Sequence, residues 1–285
     1  MLTSLKHRQK TKEVMPLAEG LPRKALRASL LWPVLRPRDF HVFGVGMPKT
    51  GTHSLTGLFS NYRSAHEARG PETIRLIRMW TQGDLTEKGL RQALKRRDRS
   101  WRLECDVAHF LGILTPHLYP LFPDAKYILT VREPRSWLRS VVDQCINNSR
   151  ERLLHLTPEK EWVSLRDIYF GSPPEEYPPE EEPLKENNLH SISGFLKYWT
   201  RHNRTVVDAI PSENLLVVNT SDISSSIDRI ASFVGIPSDR LVTSAKHSYK
   251  ASQRNGILDK VDEAYVQDKI NRICDFSLLT KLTDC

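Results

Sequence analysis

The chain has 285 residues, 39% of them hydrophobic, enough to bury a substantial core in one large α/β domain or two small ones, which excludes disorder along its whole length. Its formal net charge of +8 favours an anionic partner: a nucleotide, a nucleic acid, a sulfated or phosphorylated substrate, or an acidic membrane face. No stretch approaches the roughly 18 apolar residues of a membrane span and MLTSLKHRQKTKEV lacks a signal peptide's apolar centre, so a soluble, cytoplasmic protein is expected.

Residues 1–40 are basic and punctuated by prolines. They read as an arm, solvated or loosely docked, in which RKALRASLLW has the composition of a short amphipathic helix; contact with a membrane surface or a partner is the alternative. Residues 41–285 are expected to form a single domain of alternating strands and helices. HVFGVG is a short apolar strand, THSLTGLFSNY the helix behind it, and YRSAHE a second strand. Pro71–Trp80 and Glu87–Arg97 carry helical patterns, and WRLECDVAHF and KYILTVRE read as strands, the latter feeding a helix that begins at Pro134. This alternation predicts an α/β fold of three layers, with a central, mainly parallel sheet flanked by helices.

GSPPEEYPPEEEPLKENN, Gly171–Asn188, is expected to be an acidic surface loop bordering the acceptor side of any site, because its prolines lack amide donors and clash with a preceding helical turn. HSISGFLKYWTRHNRTVVDAI places Ile192, Phe195, Leu196, Trp199, Val206, Val207 and Ile210 on one helical stripe. ENLLVVNTSD reads as a buried strand and SSSIDRIASFVGI as the helix behind it. Cys105, Cys145, Cys274 and Cys285 form no C-x-x-C pair, so reduced and mostly buried thiols are expected, with neither a zinc site nor a disulfide scaffold.

The stretch FGVGMPKTGTHSL, Phe43–Leu55, carries the chemistry. A nucleoside-triphosphate loop, G-x-x-x-x-G-K-[ST], joins a strand to a helix so that backbone amides surround phosphate oxygens. Gly46 and Gly51 have that separation, yet Thr52 stands where the lysine belongs and Lys49 lies inside the loop. No aspartate ends KYILTVRE to hold magnesium, so the loop predicts a site for an anion other than ATP·Mg.

In these residues the sequence resembles the 3'-phosphoadenosine 5'-phosphosulfate (PAPS) dependent sulfotransferases, whose first loop reads P-K-[ST]-G-T, matched by Pro48, Lys49, Thr50, Gly51 and Thr52. The resemblance implies a P-loop-like fold, PAPS as sulfuryl donor with no metal required, and a loop, continued by His53 and Ser54, that holds the 5'-phosphosulfate with Lys49 at the bridging oxygen. It also implies an arginine at a strand end and a serine on the next helix that grip the 3'-phosphate. Arg132 and Ser140 have that spacing, with Ser136 one turn earlier on the same side. An arginine's planar fork of donors suits a phosphate. Without the family, Arg132 reads equally well as a partner of Glu133 or an acidic loop. The resemblance runs from about His41 to Gly256 and includes AKHSYKASQRNG, where Lys246, His247, Lys250 and Arg254 match the basic loop that closes over the nucleotide. That stretch lacks the R-x-G-x-x-G of cytosolic small-molecule members, and a solvated basic turn is its alternative.

Transfer to a hydroxyl needs an in-line nucleophile and a base. Glu67, at the end of YRSAHE, resembles in position the glutamate of glycan and tyrosine sulfotransferases. His109 stands ahead of the Arg132 strand as the histidine of small-molecule members does, and Asp106 is a third candidate. His66 is expected to point away from Glu67 if the strand is regular. The expected activity is sulfuryl transfer to a carbohydrate or lipid-linked hydroxyl with a carboxylate base, or to a small phenol or alcohol metabolite with a histidine base. An atypical P-loop kinase and a non-catalytic nucleotide-binding protein are the alternatives. Nucleic acid is not an expected partner, since no cluster of aromatic and basic residues suited to stacking on bases is evident.

Overall fold

The computed structural model describes residues 37–154, 160–172, 174–243 and 254–278. Nearly all of the basic arm, and Lys246, His247, Lys250 and Cys285, lie outside the described residues.

The apolar runs form five strands: β1 Val42–Gly44, β2 Ser64–His66, β3 Cys105–Val107, β4 Lys126–Val131 and β5 Leu215–Asn219. Their order across the sheet is β2-β3-β1-β4-β5, and every pairing is parallel. Crossover helices cover both faces of such a sheet, so successive residues of a strand enter opposite cores. Along β4, Tyr127 and Leu129 join the core that contains Phe43, Phe110, Trp137 and Trp199, whereas Ile128 joins the core that contains Leu55, Phe59, Val107 and Val218. The α/β, three-layer expectation holds.

The longer helices are α1 Thr52–Leu58, α2 Gly70–Thr81, α3 Glu87–Trp101, α4 Pro134–Leu154, α5 Lys160–Phe170, α6 Ile192–Ala209, α7 Ile227–Val234 and α8 Glu263–Ile273. Ser191 caps α6 by accepting a hydrogen bond from the Gly194 amide at 3.1 Å. Ile192, Phe195, Leu196, Trp199 and Val206 form its buried stripe as expected. Ile210 is buried but lies past the helix end in an extended conformation, because the following proline disfavours helical dihedrals.

Two expectations change. Trp101 closes α3 instead of opening a strand, and β3 begins only at Cys105 after a left-handed turn at Arg102. Within Gly171–Asn188, Pro179–Glu181 forms a 3-10 turn and Glu182–Lys185 one α-helical turn, with prolines in the first turns, where their missing amides are not needed. That segment is not purely a surface loop. Glu181 is fully buried and accepts hydrogen bonds from the Ile192 amide and the Tyr265 hydroxyl, each at 2.9 Å. Cys105, Cys145 and Cys274 are buried free thiols.

Candidate active site

Lys49, Glu67, His109 and Arg132 each stand where a strand gives way to a loop at the C-terminal edge of the sheet, the position at which parallel α/β sheets bind ligands. The first loop, after β1, makes two left-handed turns, Lys49 at φ 67° and Gly51 at φ 94°. Its Thr50 hydroxyl donates to the Met47 carbonyl at 2.7 Å and lies 2.8 Å from the Thr130 hydroxyl of β4. The indole of Trp137 on α4 donates to the Pro48 carbonyl at 2.9 Å, and the Thr220 hydroxyl after β5 reaches the Thr50 and Val131 carbonyls at 2.9 and 2.8 Å. Groups from three other elements thus hold the loop in one shape.

Gly46 is required by close approach: a Cβ there would lie 1.9 Å from Thr130 Oγ1 and 2.9 Å from the Thr130 carbonyl oxygen. Gly46→Ala is therefore expected to destabilise the chain by about 2 kcal/mol or more, measured by urea denaturation. A loss below about 0.5 kcal/mol would show that the β1–β4 seam yields, contrary to its packing.

Arg132 follows β4 directly. Its Nε donates to Ser136 Oγ at 3.2 Å, its terminal nitrogen approaches the Lys49 carbonyl at 3.4 Å, and its own carbonyl accepts from the Trp199 indole at 3.0 Å. Glu133 caps α4 instead, accepting from the Arg135 and Ser136 amides at 2.8 Å each. Among the described residues neither Arg132 nor Lys49 has a carboxylate ion-pair partner. Burial, then the charge of Arg132, lowers the Lys49 pKa, with Asp143 opposing. Ser140 is buried two turns into α4. Asp143, on the same helix, accepts from the Asn255 amide at 2.9 Å, which brings the chain beside exposed Arg254 against α4. His53 is exposed and Ser54 half-buried on α1.

At the other side of the loop, β2 ends at His66 and Glu67 turns left-handed at φ 54°. That turn breaks the strand's alternation, so His66 does not point away as expected. Its Nε2 lies 3.0 Å from Thr52 Oγ1, its ring stacks on His53 with centroids 3.7 Å apart, and its Nδ1 is 3.8 Å from Glu67 Oε1. Glu67 Oε1 is also 3.1 Å from His109 Nε2, and His109 Nδ1 is 2.8 Å from the Tyr169 hydroxyl of α5. Glu67 and His109, alternatives in the sequence, are neighbours.

Burial pushes the Glu67 carboxyl up, but the hydrogen bond and charge of His109, with the charges of His66 and His53, outweigh it and hold the group at about 2. Burial lowers His66 to about 4 against the pull of Glu67, and it lowers His53 as well. The Tyr169 ring stacks on Tyr198 at 4.4 Å; Tyr198 in turn donates to His202 Nδ1 at 3.2 Å, and His202 Nε2 donates to the Val45 carbonyl at 2.8 Å. That carbonyl can only accept, so the His202 tautomer is set. Asp106 points elsewhere in the fold. It is buried in an ion pair with Arg97, whose guanidinium also donates to the Ala68 carbonyl at 2.9 Å, tying α3 to the turn after β2.

A cavity of about 240 Å³ opens between the loop and α4 and α5, bordered by Pro48, Glu67, His109, Trp162, Tyr169 and Phe170 among others. Asp106 is absent from its lining, as are the described residues of Gly171–Asn188. The α5 residues are the ones that the sequence does not single out. Aromatic and aliphatic residues at Trp162, Leu165, Tyr169 and Phe170 have ordinary amphipathic helix spacing, indistinguishable from core packing before the tertiary contacts are known.

No helix among the described residues is long and apolar enough to cross a membrane. No curated protein matches the chain significantly. Among solved structures it is similar to a sulfotransferase from Alicyclobacillus acidocaldarius, at 16% identity over 86% of this chain and 96% of that one, with a TM-score of 0.47. It is also similar to the sulfotransferase domain of the olefin synthase from Synechococcus PCC 7002, at 16% identity over 88% and 89% of the two chains, with a TM-score of 0.37. A family model described as a sulfotransferase domain matches residues 41–240, more than half of the chain and the whole span from β1 past β5. On that match, the chain belongs to the sulfotransferase domain family.

Proposed function

We propose that the protein transfers a sulfuryl group from PAPS to the hydroxyl of an acceptor bound beside Glu67. The observation that carries this reading is the pair of cations without carboxylate partners among the described residues, Lys49 and Arg132, at the ends of the adjacent strands β1 and β4. Such charges are costly to gather unless an anion compensates them. Pro48, Lys49, Thr50, Gly51 and Thr52, with His53 and Ser54, form the cradle for the 5'-phosphosulfate. Arg132 and Ser140 hold the 3'-phosphate. The anchoring of Asn255 on Asp143 supports a role for Arg254, with Lys246, His247 and Lys250, over the nucleotide. One sheet shared by both cores supports reading residues 41–285 as a single domain, on which the described end of the arm packs through Phe40 and the Arg38–Asp98 ion pair.

The donor supplies an electrophilic sulfur and a phosphate leaving group. As the acceptor oxygen bonds to sulfur and the sulfur–phosphate oxygen bond breaks, negative charge grows on the bridging oxygen, where Lys49 stabilises it. This role needs no metal in the mechanism. The acceptor's proton passes to Glu67. A carboxylate held near 2 is a weak base toward an alcohol. It becomes an adequate one once the new O–S bond makes that proton strongly acidic, so the transfer comes late. His109 is a positioning residue that fixes one Glu67 oxygen and leaves the other for the acceptor.

Calorimetry with 3'-phosphoadenosine 5'-phosphate, adenosine 5'-phosphate and ATP·Mg tests the reading. The first is expected to bind at least about tenfold more tightly than the second, and Arg132→Ala to erase most of that difference. Equal or tighter binding of ATP·Mg would favour a kinase-like protein instead.

A further inference from the structure

The cavity beside Glu67 has walls of two kinds. Trp162, Tyr169 and Phe170 on α5, with Val141 and Cys145 on α4, make most of it apolar and aromatic. Apart from the Glu67–His109 pair, Arg166 is the one charged side chain among the described residues that line it. Neighbouring arginines have partners: Arg75 pairs with Glu161 at 3.0 Å, Arg97 with Asp106, and Arg139 with Asp259 at 3.0 Å. Arg166 forms no ion pair with a described residue, and its Nε is shielded from solvent without a hydrogen-bond partner. The side chain lines the cavity with a buried donor left over, and an anion entering the cavity would supply an acceptor. Arg166 precedes Tyr169 by one helical turn, roughly 5 Å along α5, on the side that borders the cavity.

We propose that the acceptor is an amphipathic anion: a compact, flat, apolar body that carries the reacting hydroxyl at Glu67 and, on its side toward Arg166, a carboxylate or similar group bound by that guanidinium. This rests on the reading of the cavity as the acceptor site of a sulfotransferase. Aromatic walls reward a flat apolar body. Gln144 and Asn148 are the neutral amide side chains among the described residues of the lining, few to replace the hydration of a sugar's many hydroxyls, and about 240 Å³ suits a fused two-ring molecule.

Sulfuryl transfer from labelled PAPS is measured with 6-hydroxy-2-naphthoate, its methyl ester and N-acetylglucosamine. The acid and ester differ in charge and little else. The acid's kcat/KM is expected to exceed the ester's by roughly tenfold or more, chiefly through KM, the return of one charge-assisted pair. Arg166→Met is expected to bring that ratio to within about twofold of one, and Arg166→Lys to retain part of it. An ester used as well as the acid, an Arg166→Met chain that keeps the ratio, or a preference for N-acetylglucosamine overturns the proposal. Should the variants not fold, the acid-to-ester ratio of the unaltered chain still decides. Calorimetry with 3'-phosphoadenosine 5'-phosphate separates the two levels. Tight binding with no preference for the acid sinks the acceptor class alone, and no binding sinks the donor reading with it.

Discussion

Lys49→Met is expected to lower kcat for sulfuryl transfer by about 10³-fold while the chain remains folded. The side chains are similar in length, and the left-handed backbone at Lys49 strains both residues alike. The ammonium is disfavoured where it stands, by burial and by the neighbouring charge of Arg132, so its removal relieves the folded state. On the proposed mechanism its use lies in the reaction, where charge accumulates on the bridging oxygen and a fixed cation costs no reorganisation. Single-turnover kinetics and thermal unfolding on the same preparation separate these effects. Binding of 3'-phosphoadenosine 5'-phosphate is expected to weaken less than the rate, because Arg132 and the loop remain. A rate loss below about tenfold would remove Lys49 from the reaction.

The second large effect belongs to Glu67. Glutamine keeps its shape and can still accept from His109, but it cannot take a proton; Glu67→Gln is expected to lower kcat by about 10²- to 10³-fold. His109→Asn, which frees the carboxylate without removing it, should cost closer to tenfold. The opposite ranking would make His109 the base and Glu67 its support. Stability carries a separate signature. The folded-state carboxyl is depressed from 4.5 to about 2, so its contribution is fully present above the unfolded value and is lost as pH falls from about 4.5 toward 2. Denaturation of the unaltered chain should therefore weaken through that window more steeply than that of Glu67→Gln. Parallel curves would mean that the carboxyl is not held down by its histidine neighbours.

Much of the fold is legible along the chain. Short apolar runs ended by glycine or followed by helical periodicity read as strands of a sheet covered on both faces, and the structure buries Val42 and Phe43 on its two sides. The Lys49 loop and the Arg132–Ser140 spacing are legible for a related reason: strand end, turn and first helical turns are local geometry, which residue spacing encodes. Contacts between strands distant in sequence are not encoded in that way. Glu67 meets His109 because β2 pairs with β3, and Asp106 is engaged by Arg97 because α3 packs over the same edge. The reversed direction of His66 follows from one left-handed residue that no periodicity announces. The aromatic wall of α5 and Arg166, which forms no ion pair with a described residue, look, in one dimension, like any amphipathic helix. The sequence by itself determined the parallel sheet, the Lys49 loop and the placing of Arg132 and Ser140 at a strand end and on the next helix, since each is written in short-range spacing. Only the tertiary structure decided that Glu67 and His109 are neighbours and what lines the cavity beside them, since both depend on strand order and on the side from which α5 closes the sheet edge.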